Sequence, residues 1–217
     1  MFASYGRQSH EQELVAFTYS FEHYNLKAFL RQFEIVSVKR GIIAMEDLSI
    51  PGAIINYPFN QLATKQVHAL SPEAEEIGTI DTVRYVGSGF YWGYNVTWQA
   101  VREILNRYSY KRFFILGDGN LSKAVQYAAQ KTGKEFKLIT RENWNSLYDL
   151  REELIFNATP LGCLLGNDIH RSNTYIENSM NTEQGREIHL LRTAFQFDIL
   201  TGLPMPLLQV KKHLSSI

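Results

Sequence analysis

Phe114-Ile115-Leu116-Gly117-Asp118-Gly119-Asn120-Leu121-Ser122-Lys123 is the stretch whose reading decides the fold. A compact apolar run, Phe113 to Leu116, reads as a buried strand that passes straight into a glycine. Two glycines one residue apart follow, and then a helical stripe of Leu121, Val125, Ala128 and Ala129. In a strand–turn–helix context the first glycine permits a tight turn, and the second lets the backbone approach a phosphate without a Cβ in the way. The helix start then offers free N–H groups and a positive dipole end. Ser122 takes the place where a third glycine often sits; it is small enough for close packing and brings a hydroxyl. The plainer reading is a turn that only joins strand to helix, and Asp118 sets a carboxylate beside the proposed phosphates.

Outward from this turn, helix-like and strand-like patterns alternate. Phe136–Ile139 and Leu154–Phe156 read as further strands, and Val101, Ile104, Leu105 and Tyr108 as a helical stripe before the turn. This alternation predicts a parallel α/β sheet. Towards the N-terminus, Leu26, Phe29, Leu30 and Phe33 fall at helical spacing, Ala53–Ile55 is short and apolar, and a helix is expected from Pro58 to about Leu70, stopped by Ser71-Pro72. A last helix is expected from Glu187 to about Leu200, ended by Thr201-Gly202 and Pro204, and the polar stretch 173–181 reads as a loop. The fold class predicted is α/β, a small N-terminal α/β substrate domain plus a shortened Rossmann-type domain. The expected boundaries are 1–105, with a C-terminal helix 187–217 packing back on it, and 106–186.

The composition is that of an ordinary globular chain: 217 residues, 45% hydrophobic, 22 basic against 22 acidic residues. Zero net charge gives no broad positive field for nucleic acid or a membrane surface. There is no apolar run near the roughly 20 residues of a membrane span and no signal-peptide core, so a cytoplasmic protein is expected. Cys163 is the only cysteine, read as a small packing residue. His10, His23, His68, His170, His189 and His213 show no paired metal-ligand spacing, and no metal is expected. Phe90, Tyr91, Trp92, Tyr94 and Trp98 crowd one segment, read either as the lining of a ligand pocket or as core or a homodimer interface.

Several segments, in order, resemble the shikimate dehydrogenase family: Ala74–Val83 is similar to A-x-x-I-G-A-x-N-T-V, Gly93–Thr97 to G-Y-N-T-D, and Asn157–Gly162 to N-A-T-P-x-G. Ala194–Phe197 with Leu200-Thr201-Gly202 is similar to the family's closing helix. The resemblance implies a substrate domain, an NADP-binding Rossmann-type domain, and a lysine–aspartate pair that moves the hydroxyl proton as hydride passes to the nicotinamide. It implies cofactor contacts at Gly117, Gly119, Asn120, Leu121, Ser122, Arg141, Asn157, Thr159 and Pro160. Arg141, about 20 residues past the turn, favours the 2′-phosphate of NADP, while the neighbouring Glu142 suits the ribose of NAD; a solvated surface arginine is the alternative.

The chain departs from the family where the chemistry sits. Ile54–Asn60 is similar to N-V-T-I-P-H-K, which places Asn60 at the lysine and Thr97 at the aspartate. Neither titrates near neutral pH, so the acid–base pair, ordinarily a contribution of about 10²–10⁴-fold, is gone. Asp81 stands for a substrate-binding asparagine and Arg192 for a glutamine; Asn95 and Gln196 complete the substrate-site candidates. Arg192 would suit a ligand carboxylate, or pair with Asp81. Between Arg141 and Asn157 a family helix and strand are missing, and no D-x-x-Y-x-P-x-x-T segment follows Gly162. Three functions stay open: an NADP(H)-linked oxidoreductase on a small hydroxy or keto compound other than shikimate, a catalytically silent binding or scaffold protein, and non-redox chemistry in the same cleft.

Overall fold

The computed structural model describes residues 1–6, 11–161 and 169–216; the readings of His10, Gly162 and Cys163 lie outside these residues. The chain divides into two compact units, Met1–Val96 with Leu190–Ile217, and Thr97–His189. Both are α/β, as the alternating patterns predict.

Unit one is built on a six-stranded mixed sheet in the order β2-β1-β3-β5-β6-β4. Its strands are β1 (Phe2–Tyr5), β2 (Leu30–Phe33), β3 (Gly52–Ile55), β4 (Ala69–Leu70), β5 (Thr82–Gly87) and β6 (Phe90–Tyr94). β1 runs parallel to both β2 and β3, whereas β5 is antiparallel to β3 and to β6. Side chains alternate across the sheet. Ala3, Tyr5, Ala53 and Ile55 enter one core, together with Ile42 and Met45 of α2 (Val38–Asp47). Phe2 and Ile54 enter the other core, with Phe17 and Phe21 of α1 (Glu11–His23) and Phe197.

That two-sided burial explains one mistaken expectation. Leu26 to Phe33 is not a helix: residues 30–33 form β2. Leu30 packs into the second core, while Phe33 leans on the first, 6.1 Å from the Tyr5 ring. Residues three apart on a strand face opposite sides, so a sheet covered on both faces mimics helical spacing.

The expected 58–70 helix is also corrected. Only Asn60–Ala63 (α3) is helical, and Ala69-Leu70 pair with Trp92-Gly93. Ser71-Pro72 starts a helix rather than ending one: Ser71 caps α4 (Pro72–Ile77), its Oγ accepting from the Ala74 N–H at 3.2 Å, with Pro72 in the first turn.

Unit two carries a four-stranded, all-parallel sheet in the order β10-β9-β7-β8. The strands are β7 (Arg112–Leu116), β8 (Glu135–Ile139), β9 (Leu154–Asn157) and β10 (Thr174–Glu177). The polar 173–181 stretch is thus not a loop throughout. Its strand is hidden in the sequence because only Ile176 is apolar and fully buried, while Glu177 is buried as a bonded carboxylate. α5 (Thr97–Leu105) and α6 (Asn120–Lys131) pack on each other and α6 on β7 and β8. Between β8 and β9 the chain makes only a 3₁₀ helix, Trp144–Asp149, which is the shortening read from the sequence. β8 and β9 flank β7 on opposite sides, so the strand order reverses at β7, and the crevice beyond its carboxyl end is where such sheets bind ligands.

Candidate nucleotide-binding site

β7 delivers Gly117 to that crevice. Gly117 has φ +92°, a left-handed conformation that favours glycine, and a Cβ there would come within 3.0 Å of Thr159 Cγ2. Gly119 plays a different part. Its φ is −74° and a Cβ would meet nothing within 4 Å, so its smallness leaves open space rather than relieving strain. It is the N-cap of α6, where no side chain caps the helix and no acidic residue sits in the first turn. The N–H groups of that turn have no partner within the helix.

The second wall comes from the loop after β9. Asn157 is fully buried, and its Oδ1 accepts from the Thr159 N–H at 2.9 Å and from Thr159 Oγ1 at 2.6 Å. Its Nδ2 donates to Glu177 Oε2 at 3.1 Å, across the register pair of β9 and β10. Tyr175 Oη donates to the same oxygen at 2.8 Å and the Ser179 N–H to Oε1 at 3.0 Å. Buried and bonded on both oxygens, Glu177 holds Asn157, and Asn157 holds the turn. Asn157→Ala is therefore expected to lower stability by about 1–3 kcal/mol, the usual cost of stranding buried polar groups, read as a lower urea midpoint.

The third side follows β8. The Thr140 N–H donates to Asn143 Oδ1 at 2.7 Å, and Asn143 Nδ2 donates to the Leu138 carbonyl at 3.0 Å. These bonds fix the turn that carries Arg141. Together the three loops enclose a cavity of about 530 Å³, within the range of small-molecule sites. Gly117, Gly119, Arg141, Thr159 and Pro160 all line it, and so does Asp118, which is exposed. Of the other residues assigned to the cofactor, Asn157 supports the wall from behind. Ser122 is fully buried and accepts from Gln126 Nε2 at 3.2 Å. Asn120 and Leu121 lie in the first turn of α6.

In unit one the substrate-site candidates are engaged with the protein. Asn60 Nδ2 donates to the carbonyls of Ile55 at 2.7 Å and Ile80 at 3.0 Å. The Asp81 carboxylate accepts from the Val96 N–H at 2.9 Å and from Thr82 Oγ1 at 2.8 Å, and Gln196 Nε2 donates to the Asp81 carbonyl at 3.1 Å. Asn95 Nδ2 donates to the carbonyl and hydroxyl of Thr79. Thr97 opens α5 in unit two.

Arg192 lies 3.9 Å from Glu13 Oε2. Glu13 was not singled out in the sequence. It is almost wholly buried, accepts from Ser4 Oγ at 2.9 Å, and Ser4 in turn accepts from Asn56 Nδ2 at 3.1 Å. Burial pushes its carboxyl above the ordinary range, against the opposing pull of Arg192, Ser4 and Asn56. Glu13 Oε2, Arg192 Nε and Gln196 Oε1 are buried with no hydrogen-bond partner. The aromatic segment divides its roles: Tyr91 is core, Trp92 lies near Tyr94 at 6.4 Å, and Trp98 packs edge-on to Tyr127 at 5.1 Å. Among the described residues, no group of three or more His, Cys, Asp or Glu side chains is placed to hold a metal. No helix among them is long and apolar enough to cross a membrane.

A mixed α/β unit joined to a parallel sheet with a glycine turn and a cavity at its switch point defines a two-unit, Rossmann-type protein. Solved structures of that kind match nearly the whole chain. Shikimate dehydrogenase 1 from Peptoclostridium difficile superposes with a TM-score of 0.83 at 20% identity, over 98% of this chain and 97% of its own. The Thermus thermophilus shikimate 5-dehydrogenase, solved in complex with NADP(H) and shikimate, gives 0.81 at 18% identity over 99% and 98%. In sequence, the NADP(+) shikimate dehydrogenase of Pyrococcus abyssi is 28% identical over 126 residues, 57% of this chain and 47% of that enzyme. The chain spans about half the length of the curated relatives it matches. No protein-family model matches it. In sequence over part of its length, and in fold over nearly all of it, the chain is similar to shikimate dehydrogenases.

Proposed function

We propose that the chain binds NADP(H) through unit two and does not oxidise shikimate. The observation that carries the first half is the cavity joining Gly119, the uncapped start of α6, Arg141 and the Thr159-Pro160 turn at the switch point of a parallel sheet. These residues fit a phosphorylated dinucleotide. The open space at Gly119 admits a pyrophosphate, the N–H groups of the first helical turn meet its charge, and Arg141 offers a planar donor set to a 2′-phosphate. NADP(H), when bound, supplies or accepts hydride; the protein's part is to seat its phosphates and exclude the bulk of water from the crevice.

The second half rests on Asn60, which stands where the family's lysine is and spends both amide protons on the carbonyls of Ile55 and Ile80. An amide so engaged neither titrates nor carries a proton. Calorimetric titration tests the first half: NADPH is expected to bind saturably and more tightly than NADH. No heat with either at high micromolar concentration would remove it. Steady reduction of NADP by shikimate would remove the second half.

One observation favours a second reading, an oxidoreductase acting on another hydroxy or keto compound. Glu13 is a carboxyl pushed above its ordinary range by burial, with Arg192 as a specific charge partner, a combination that marks candidate proton-transfer groups. Turnover of such a compound, abolished in Glu13→Gln with NADPH affinity unchanged, would establish it.

A further inference from the structure

We propose that Trp144 is the base-stacking wall of the unit-two cavity, so that the site selects a nucleotide carrying a purine ring over a bare pyrophosphate. This rests on the nucleotide reading above and goes beyond it by naming what recognises the base.

The cavity lining runs from the glycine turn through Thr140 and Arg141 to Trp144. Its two ends differ in chemistry. The glycine end offers backbone N–H groups with the exposed Asp118 as the side chain between the two glycines, and the N–H groups suit phosphate. The Trp144 end offers an indole, the aromatic side chain with the largest polarisable face. Trp144 is only partly buried: it packs against the core of Phe114, Leu116, Ile139, Leu147 and Ile155, and it is also one of the residues that line the cavity.

Its support is rigid. Trp144 begins the 3₁₀ helix, and Asn143 ties the preceding turn to Thr140 on one side and to Leu138 on the other. Asn143 also receives Ser146, whose N–H and Oγ both donate to its carbonyl. An aromatic ring fixed by core packing and a clamped turn loses little entropy when a base stacks on it. Arg141, three residues earlier, lines the same cavity, so a guanidinium for a ribose phosphate and a ring for the base come from one turn.

The test uses the full chain with adenosine 2′,5′-bisphosphate, NADPH and inorganic pyrophosphate as probes. Trp144→Leu keeps the apolar packing and removes the aromatic face; Trp144→Phe keeps a face and removes the indole fluorescence. The bisphosphate is expected to quench tryptophan emission in the unaltered chain, and the quench to vanish in Trp144→Phe with affinity nearly kept. In Trp144→Leu its affinity is expected to fall on the order of 10- to 100-fold, as for loss of one base–aromatic stack, with pyrophosphate affinity unchanged. Equal affinity for the bisphosphate in Trp144→Leu and the unaltered chain would overturn the proposal and leave the nucleotide reading standing. A parallel loss of pyrophosphate would assign Trp144 a structural role only and overturn it too. No binding of either nucleotide to the unaltered chain would overturn both.

Discussion

Gly119→Asp is expected to leave the fold intact, or slightly more stable, while weakening NADPH binding at least 100-fold. The two halves have the same cause. Gly119 is the N-cap of α6 with φ −74°, a conformation any residue adopts, and a Cβ there meets nothing within 4 Å. Aspartate is among the preferred N-cap residues, gaining a few tenths of a kcal/mol over glycine, and its charge faces the positive end of the helix for about 0.3–1 kcal/mol more. The carboxylate that stabilises the helix takes the N–H groups a phosphate would use. It also sets a negative charge about 4 Å from that phosphate, a repulsion of about 4 kcal/mol at a surface-like dielectric, which amounts to between two and three decades of affinity.

Gly117→Ala is the contrast. With φ +92° and Thr159 Cγ2 at 3.0 Å from the new Cβ, it taxes the fold itself. Thermal unfolding and calorimetry, run on the same Gly119→Asp sample, separate the effects. A variant that lost stability yet bound NADPH normally would mean that the start of α6 is not the phosphate seat.

What made this half of the molecule legible is that its signals are local. Phe113–Leu116 is apolar enough to be a central strand, Gly117 and Gly119 follow without a break, and Arg141 stands where the next strand ends. Gly117, Gly119 and Arg141, read from that pattern, line one cavity together with Thr159 and Pro160, to which the family resemblance pointed. Trp144 escaped notice because a single aromatic within Thr140–Ser146 has no periodicity to betray which way it faces.

Unit one was harder for a different reason. Leu30 and Phe33 are both apolar because both faces of the sheet are covered, and Ser71-Pro72 punctuates a helix from the other end. In unit two, β10 is concealed by polar residues satisfied inside the protein. The Ser4–Glu13–Asn56–Arg192 cluster is the extreme case. Its members come from β1, α1, the end of β3 and α7 (Glu183–Thr201), and no spacing along the chain connects them.

That cluster carries the largest expected effect on stability. Arg192→Met is expected to cost about 3 kcal/mol at pH 8 and clearly less at pH 5. Removing one member of a buried ion pair strands the other, at about 3–5 kcal/mol. The lower end applies because the pair is 3.9 Å apart and the Arg192 side chain keeps 16% of its exposure. The pH dependence follows from Glu13, whose carboxyl is held above its ordinary 4.5 chiefly by burial, with Arg192 the foremost opposing influence. A carboxyl raised on folding binds more protons in the native state. Its contribution is fully present below the unfolded value and is lost as pH rises through the folded one. Taking away Arg192 moves the folded value higher still, widening that window upward and deepening the loss at pH 8, while towards acid pH the carboxyl takes up a proton more readily and has less need of a counter-ion. Urea midpoints of the unaltered chain, Arg192→Met and Glu13→Gln/Arg192→Met, each at the two pH values, decide the matter. The double variant should recover most of the loss at pH 8 and respond little to pH, because a neutral amide keeps the bond from Ser4 and leaves no charge to strand. If Arg192→Met is equally destabilised at both pH values, the arginine acts through packing alone, and Glu13 is not the buried charge it answers.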